Sequence, residues 1–228
     1  MTTIAANLQA VRERISAACL AAGRSEESVS LLAVSKTWPA ASLSEAAAAG
    51  QLAFGENYVQ EAIDKIAELA NPALEWHFIG PLQSNKTRPV AEHFAWVHSV
   101  DRLKVAERLS AQRPAGMPSL KLCLQVNVSG EASKSGCGPD EAPGLAAAIA
   151  RLPGVTLKGL MAIPEPSDDV TLQRRRFAML RETLGAINAE LGGGLDTLSM
   201  GMSDDLEAAI MEGATIVRIG TAIFGQRD

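Results

Sequence analysis

The sequence predicts an α/β fold: a single (β/α)8 TIM barrel that begins with an N-terminal helix and carries no second β domain, with residues 1–228 as one domain. Three observations predict it. Short apolar segments alternate with longer helical patterns, eight of the short segments can be counted, and no linker or low-complexity stretch divides the chain. A parallel strand pair needs a crossover, so alternating strands and helices imply a parallel sheet. Eight such units suit a barrel in the lower part of its usual size range. A doubly wound open sheet is the structural rival.

The N-terminal stretch "MTTIAANLQAVRERI" places Ile4, Leu8, Val11 and Ile15 on one helical stripe with charges between them. The strand candidates are 31–36 (LLAVSK), 52–57 (LAFGEN), 75–80 (EWHFIG), 95–100 (AWVHSV), 121–128 (KLCLQVNV, within the run from 119), 156–163 (TLKGLMAI), 196–201 (DTLSMG) and 215–220 (TIVRIG). Helical patterns lie between them, among them "SLSEAAAAG", "YVQEAIDKIAELA", "DRLKVAERLSAQ", "EAPGLAAAIARL" and "VTLQRRRFAMLRETLGAINAELG". Gly50 and Gly192 stand where two of these should stop. The chain ends almost directly after the eighth strand, so the N-terminal helix is expected to fill the outer position of an eighth helix.

Composition narrows the function classes. A net charge of −5 with interspersed signs gives no basic footprint for nucleic acid. The N-terminus lacks the basic stretch and apolar core of a signal peptide, and no apolar run approaches the roughly 20 residues that span a bilayer. Cys19, Cys123 and Cys137 form neither a CxxC motif nor a metal spacing, which suits a reducing compartment and a cytoplasmic address. His77, His93 and His98 likewise suggest no metal site. A small-molecule ligand or a protein partner is the expectation.

In a barrel, function sits at the carboxyl ends of the strands. Lys36 closes the first, Glu56 and Asn57 the second, and His77 lies in the third. Ser99 and Asp101 follow the fourth, and Asn127 sits in the fifth. The seventh and eighth end in "SMGMSDD" and "VRIGTAIFG", where Gly201 and Gly220 let a ligand approach the backbone and Ser203 and Thr221 add hydroxyls near helix starts. The loops after strands seven and eight form the recurring phosphate site of such barrels. Arg218 interrupts a strand that should be buried and shares parity with Ile216 and Gly220, so it faces inward. A lysine at an apolar strand end near another cation has more free amine with which to attack an aldehyde. Phosphate and aldehyde together indicate pyridoxal 5′-phosphate (PLP).

Each residue has a plainer alternative. Ser203 could cap the helix "DDLEAAIMEG", Arg218 could pair internally with Glu56 or Asp101, and Lys36 could extend its head to solvent. His77 could orient a ligand or satisfy a core contact. Tyr58, the single tyrosine, is read as a packing or capping residue.

The motifs "LLAVSKTWP", "FGENYVQEA", "WHFIGPLQSNK", "SVDR", "VNVSGEASKSG", "GLMAI" and "LSMGMSDDLEAAIMEGATIVRIGTAIFG", in this order from about residue 30 to the end, resemble the pyridoxal phosphate homeostasis proteins, the YggS/PROSC-like group. That group is similar in fold to the barrel domain of alanine racemase without its β-rich second domain. The resemblance implies that Lys36 is the Schiff-base lysine, that Ser203, Gly220 and Thr221 cradle phosphate, that Arg218 faces the cofactor, and that Asn57 and His77 flank it. Lys134 corresponds to a loop lysine in cofactor exchange. The implied function is a non-catalytic protein that buffers or delivers PLP to dependent apoenzymes, as a monomer; a small PLP-dependent racemase or decarboxylase is the alternative.

Overall fold

The computed structural model describes residues 3–130 and 135–226. Eight parallel strands close into a barrel in sequence order: β1 (Ser30–Val34), β2 (Ala53–Glu56), β3 (Glu75–Phe78), β4 (Trp96–Val100), β5 (Leu120–Gln125), β6 (Val155–Met161), β7 (Thr197–Ser199) and β8 (Ile216–Ile219). β8 pairs with β1, with Leu32 opposite Arg218, and this pairing completes the ring. The open-sheet rival is thereby excluded.

All eight strands fall inside the segments that periodicity identified or within a residue of them, but most stop earlier. Lys36, Asn57 and Gly220 therefore lie just past β1, β2 and β8 rather than within them, and Asn127 lies two residues beyond β5. Ser99, expected after the fourth strand, is inside β4. Polar and glycine residues leave the ladder where the chain turns outward, which places them at the mouth.

Helices α1 (Ile4–Ala21), α2 (Ala40–Ala48), α3 (Val59–Leu69), α4 (Thr87–His93), α5 (Leu103–Gln112), α6 (Ala142–Ile149), α7 (Val170–Leu191), α8 (Leu206–Met211) and α9 (Thr221–Phe224) surround the strands. Asp169 caps α7 by accepting from the Thr171 and Leu172 amides, and Gly192 ends it in the left-handed conformation. Helix α4 had no clear pattern: it is seven residues long, with Pro89 in its first turn. Helix α9 is a single turn, and α1 fills the outer position beside it. The Asn7 side-chain amide donates to Ile223 O, Arg14 pairs with Glu207 of α8, and Arg12 donates to Ala49 O after α2.

The apolar residues divide into two clusters. The larger lies between strands and helices and includes Phe54, Phe78, Val97, Leu122, Leu124 and Leu160 with the buried faces of the helices. The smaller lies inside the barrel: Leu32, Val34, Ile79, Trp96, Cys123, Met161 and Ile216. Alternation along each strand sends one set out and the other in. Polar residues share the inner space, since His77, His98, Ser199 and Arg218 are all buried there. No helix among the described residues is long and apolar enough to cross a membrane.

Candidate cofactor site at the carboxyl end of the barrel

A cavity of about 220 Å³ opens at the carboxyl ends of the strands, lined by Lys36, Asn57, Ser203, Arg218, Gly220 and Thr221 with Val34, Ile79, Ile163, Met202 and Asp204. Six of the seven predicted site residues converge on it from β1, β2, β7 and β8.

The β1 end is a turn in which the Trp38 amide donates to Ser35 O at 3.1 Å. Its third residue, Thr37, has φ of 68°. A β-branched residue rarely occupies this region, so the surroundings must hold it there. A buried ion cluster does so. Lys65 of α3 donates to Ser35 O (2.8 Å), Glu56 Oε1 (2.7 Å) and Glu61 Oε1 (2.6 Å), while Ser35 Oγ donates to Glu56 (2.7 Å) and the Thr37 amide donates to Glu61. Burial pushes the Glu56 carboxyl up, and the hydrogen bonds from Lys65 and Ser35 oppose that push. Among the described residues, two lysines near the mouth differ in setting: Lys65 is buried within a cluster of oxygens, and Lys36 lines the cavity.

Two glycines shape the walls. A Cβ on Gly80 would stand 2.3 Å from Asn57 O, so only glycine lets the β2 end pass so closely and carry Asn57 to the cavity. Asn57 Oδ1 is buried with no hydrogen-bond partner, an acceptor suited to a ligand that brings a donor. Gly201 has φ of 93°, and a Cβ there would meet Ala209 Cβ at 2.6 Å. The β7 loop therefore bends sharply and presents Met202 and Ser203 to the cavity. Ser203 does not cap α8, whose N-cap position is Asp205. Asp204 is exposed at the rim.

Arg218 is 3% exposed and donates to Ser199 Oγ (2.7 Å) and Ala162 O (2.9 Å). Neither carboxylate considered as its partner is taken up by it: Glu56 pairs with Lys65, and Asp101 pairs with Arg102. Burial lowers its pKa to about 10, so it stays protonated at neutral pH, and the Asp205 carboxylate nearby favours that charge. A buried cation held by neutral groups at a cavity floor is suited to an anionic or electron-rich ligand.

His77 departs from expectation. It does not line the cavity: it is buried within the barrel, its Nδ1 2.9 Å from His98 Nε2 and its Nε2 3.0 Å from Glu75 Oε1, stacked on Trp96 at 5.4 Å. Alternation turned its side chain inward, as it did Arg218, but one layer too deep. The polar core role prevails over the ligand role. Tyr58 occupies the N-cap position of α3 without a side-chain cap bond and is 55% exposed, so it neither packs nor caps through its ring. Lys134 lies outside the described residues. Burial raises the pKa of Cys123 to about 12 and of Cys137 to about 11, leaving both as thiols. Among the described residues no three His, Cys, Asp or Glu side chains converge as a metal site.

Sequence reading missed the apolar wall of Val34, Ile79, Ile163 and Met202, and the Glu56–Lys65–Glu61 clamp. Strand parity would have found Val34, which shares it with Lys36. The i,i+4 spacing of Glu61 and Lys65 reads only as an ordinary surface pair.

The fold is a parallel barrel with a lysine, an arginine and two hydroxyl side chains lining its carboxyl mouth, and the chain belongs to the family described as alanine racemase, N-terminal domain, whose model matches residues 3–228. Within that family its near relatives are pyridoxal phosphate homeostasis proteins. The one from Pseudomonas aeruginosa is 66% identical over 228 residues, covering 100% of this chain and 97% of that one. The one from Escherichia coli K12 is 54% identical over 231 residues, covering 100% and 98%. Among solved structures, PipY of Synechococcus elongatus with PLP bound superposes with a TM-score of 0.86 at 40% identity, covering 98% of this chain and 100% of that one. Alanine racemase from Corynebacterium glutamicum shares the fold, with a TM-score of 0.72 at 18% identity over 96% of this chain and 62% of that one.

Proposed function

We propose that this protein binds pyridoxal 5′-phosphate at the carboxyl mouth of its barrel and maintains the cellular supply of that cofactor, holding it through Lys36 and releasing it to dependent apoenzymes. The observation that carries the reading is the convergence of Lys36, Arg218, Ser203 and Thr221 on one cavity with an unsatisfied Asn57 Oδ1. The residues fit the group. The Lys36 amine suits its aldehyde and condenses with it on loss of water. Ser203, Thr221 and the backbone at Gly220 suit its phosphate, Arg218 supplies positive charge, and Val34, Ile79, Ile163 and Met202 offer apolar surface to a ring. His77 contributes only from beneath, through the hydrogen bonds given above.

When bound, PLP can act as an electron sink for carbanion chemistry, but the pocket supports that poorly. Arg218 keeps its proton at neutral pH, so it acts as a fixed charge and donor rather than an acid. The titratable groups of the lining are Lys36, Asp204 and Arg218, and Asp204 stands exposed at the rim. Tyr58 is outside the cavity. These features favour a non-catalytic carrier over a racemase or decarboxylase.

The test is an absorbance titration with PLP between about 300 and 500 nm, followed by borohydride reduction and peptide mapping. The expected result is an imine band whose reduced adduct maps to Lys36 and disappears in Lys36→Ala. A label on another lysine, or an unchanged band in the variant, overturns the reading.

A further inference from the structure

Below the cavity floor, four hydrogen bonds run through the barrel from Arg218 to Glu75 near its amino end. Arg218 meets Ser199 Oγ at 2.7 Å, Ser199 Oγ meets His98 Nδ1 at 2.7 Å, His98 Nε2 meets His77 Nδ1 at 2.9 Å, and His77 Nε2 meets Glu75 Oε1 at 3.0 Å. Lys121 Nζ closes the far end, 3.2 Å from Glu75 Oε2. Ser199, His98, His77 and Arg218 are each at most 4% exposed, so water does not substitute for a missing partner.

The proton positions follow from the two ends. The guanidinium has donors only, so Ser199 Oγ accepts from it and must direct its own proton elsewhere. The Glu75 carboxylate, held to a pKa of about 2 by the hydrogen bond from His77 with help from Lys121, accepts only. His77 therefore carries its proton on Nε2 and accepts at Nδ1. His98 donates from Nε2 to it and accepts at Nδ1 from Ser199. Every contact is satisfied by this one arrangement, with both imidazoles neutral. Burial lowers the pKa of both rings, and the facing cation Arg218 and the neighbouring His77 lower that of His98 further. The charged and titratable groups around the two rings are Glu75 from β3, Lys121 and Cys123 from β5, and Arg218 from β8.

We propose that Ser199, His98, His77 and Glu75 form a one-way hydrogen-bond relay that positions Arg218 in the cofactor pocket and offsets its buried charge from the opposite end of the barrel. Arg218 has no carboxylate in ion-pair contact among the described residues. The relay supplies a succession of aligned dipoles ending on a carboxylate, and such chains polarise cooperatively in a low-dielectric interior. Ser199, His98, His77 and Glu75 are thus positioning residues that touch the ligand only through Arg218. The proposal rests on the PLP reading for its consequence but not for its existence.

Two measurements separate these. Nitrogen-15 imidazole spectra of the cofactor-free protein at neutral pH should show His77 and His98 both protonated on Nε2 alone; an Nδ1-protonated or doubly protonated His98 overturns the relay, whether or not PLP binds. Glu75→Leu should mix the tautomers of His98, two residues away along the relay, and an unchanged His98 signal counts against coupling. With PLP added, Ser199→Ala should weaken binding about tenfold, the loss expected of a hydrogen bond to a charged group, and shift the absorption maximum. Ser199→Thr, which keeps the hydroxyl, should restore both. Equal affinity and spectra in Ser199→Ala and the natural protein would overturn the positioning role.

Discussion

The two ends of the barrel interior solve the problem of buried polarity in opposite ways. At the amino end, Glu75 and Lys121, each 41% exposed, pair with each other, Glu75 also meets His77, and Lys121 lies 4.9 Å from the Trp96 ring centre, so each charge has solvent as well as a protein partner. At the carboxyl end, Arg218 is held by a hydroxyl and a carbonyl, and Asn57 Oδ1 has no partner. The difference separates stability from function. Groups that satisfy one another hold the barrel together, whereas Asn57 Oδ1, without a protein partner beside the cavity, is an acceptor open to a donor brought by a ligand.

The carboxyl end depends for its shape on groups just behind it, so the contrast is broken most strongly there. Lys65→Met removes the cation that faces buried Glu56, and it should destabilise the protein by about 3–5 kcal/mol, the usual cost of stranding one member of a buried pair. Urea unfolding measures it, and a change below about 1 kcal/mol would show that Glu56 is readily neutralised and that the clamp is dispensable. Gly201→Ala comes next. Its left-handed backbone and the contact with Ala209 should cost about 2–3 kcal/mol, together with weaker PLP binding as the β7 loop shifts. Full stability in that variant would mean that the loop relaxes without strain.

The smallest effect probes the inner relay by pH. His77 and His98 have lowered folded pKa values, so the unfolded chain binds more protons below its pKa of about 6.5. This contribution to stability should therefore be complete above that value and fall as pH drops toward the folded pKa values, by at most about 1 kcal/mol per histidine between neutrality and pH 5.5. Glu75 does not offset this, because its depressed pKa keeps its contribution intact above the unfolded value near 4.5 and releases it only as pH falls toward about 2. Unfolding midpoints at pH 7 and pH 5.5 measure the loss. A flat profile would mean that the histidines are as readily protonated in the folded barrel as in the unfolded chain.

Much of this molecule was legible before folding. The alternation of short apolar runs with helical patterns predicted eight strands and a barrel, because period-2 and period-3.6 burial leave different marks on a chain. The motif ends predicted that Lys36, Asn57, Ser203, Arg218, Gly220 and Thr221 would meet, because the topology of a parallel barrel brings every strand end to one mouth. Parity even predicted that Arg218 points inward.

Depth and partnership were not legible. His77 and Arg218 both obey inward parity, yet one lies at the cavity floor and the other beneath it, since depth depends on how neighbouring strands are staggered. Lys65 reads as half of a surface pair with Glu61, and only packing α3 against the β1 turn buries it on Glu56 and Ser35 O. The relay joins residues from β3, β4, β7 and β8, with His98 and Ser199 separated by 101 positions. The sequence by itself determined the eight strands, most of the helices and their order, because those depend on local periodicity and chain connectivity. The tertiary structure alone decided which buried polar groups satisfy one another and which are left without a protein partner, because a hydrogen bond depends on atoms meeting within about 3 Å, and no pattern along the chain encodes that distance.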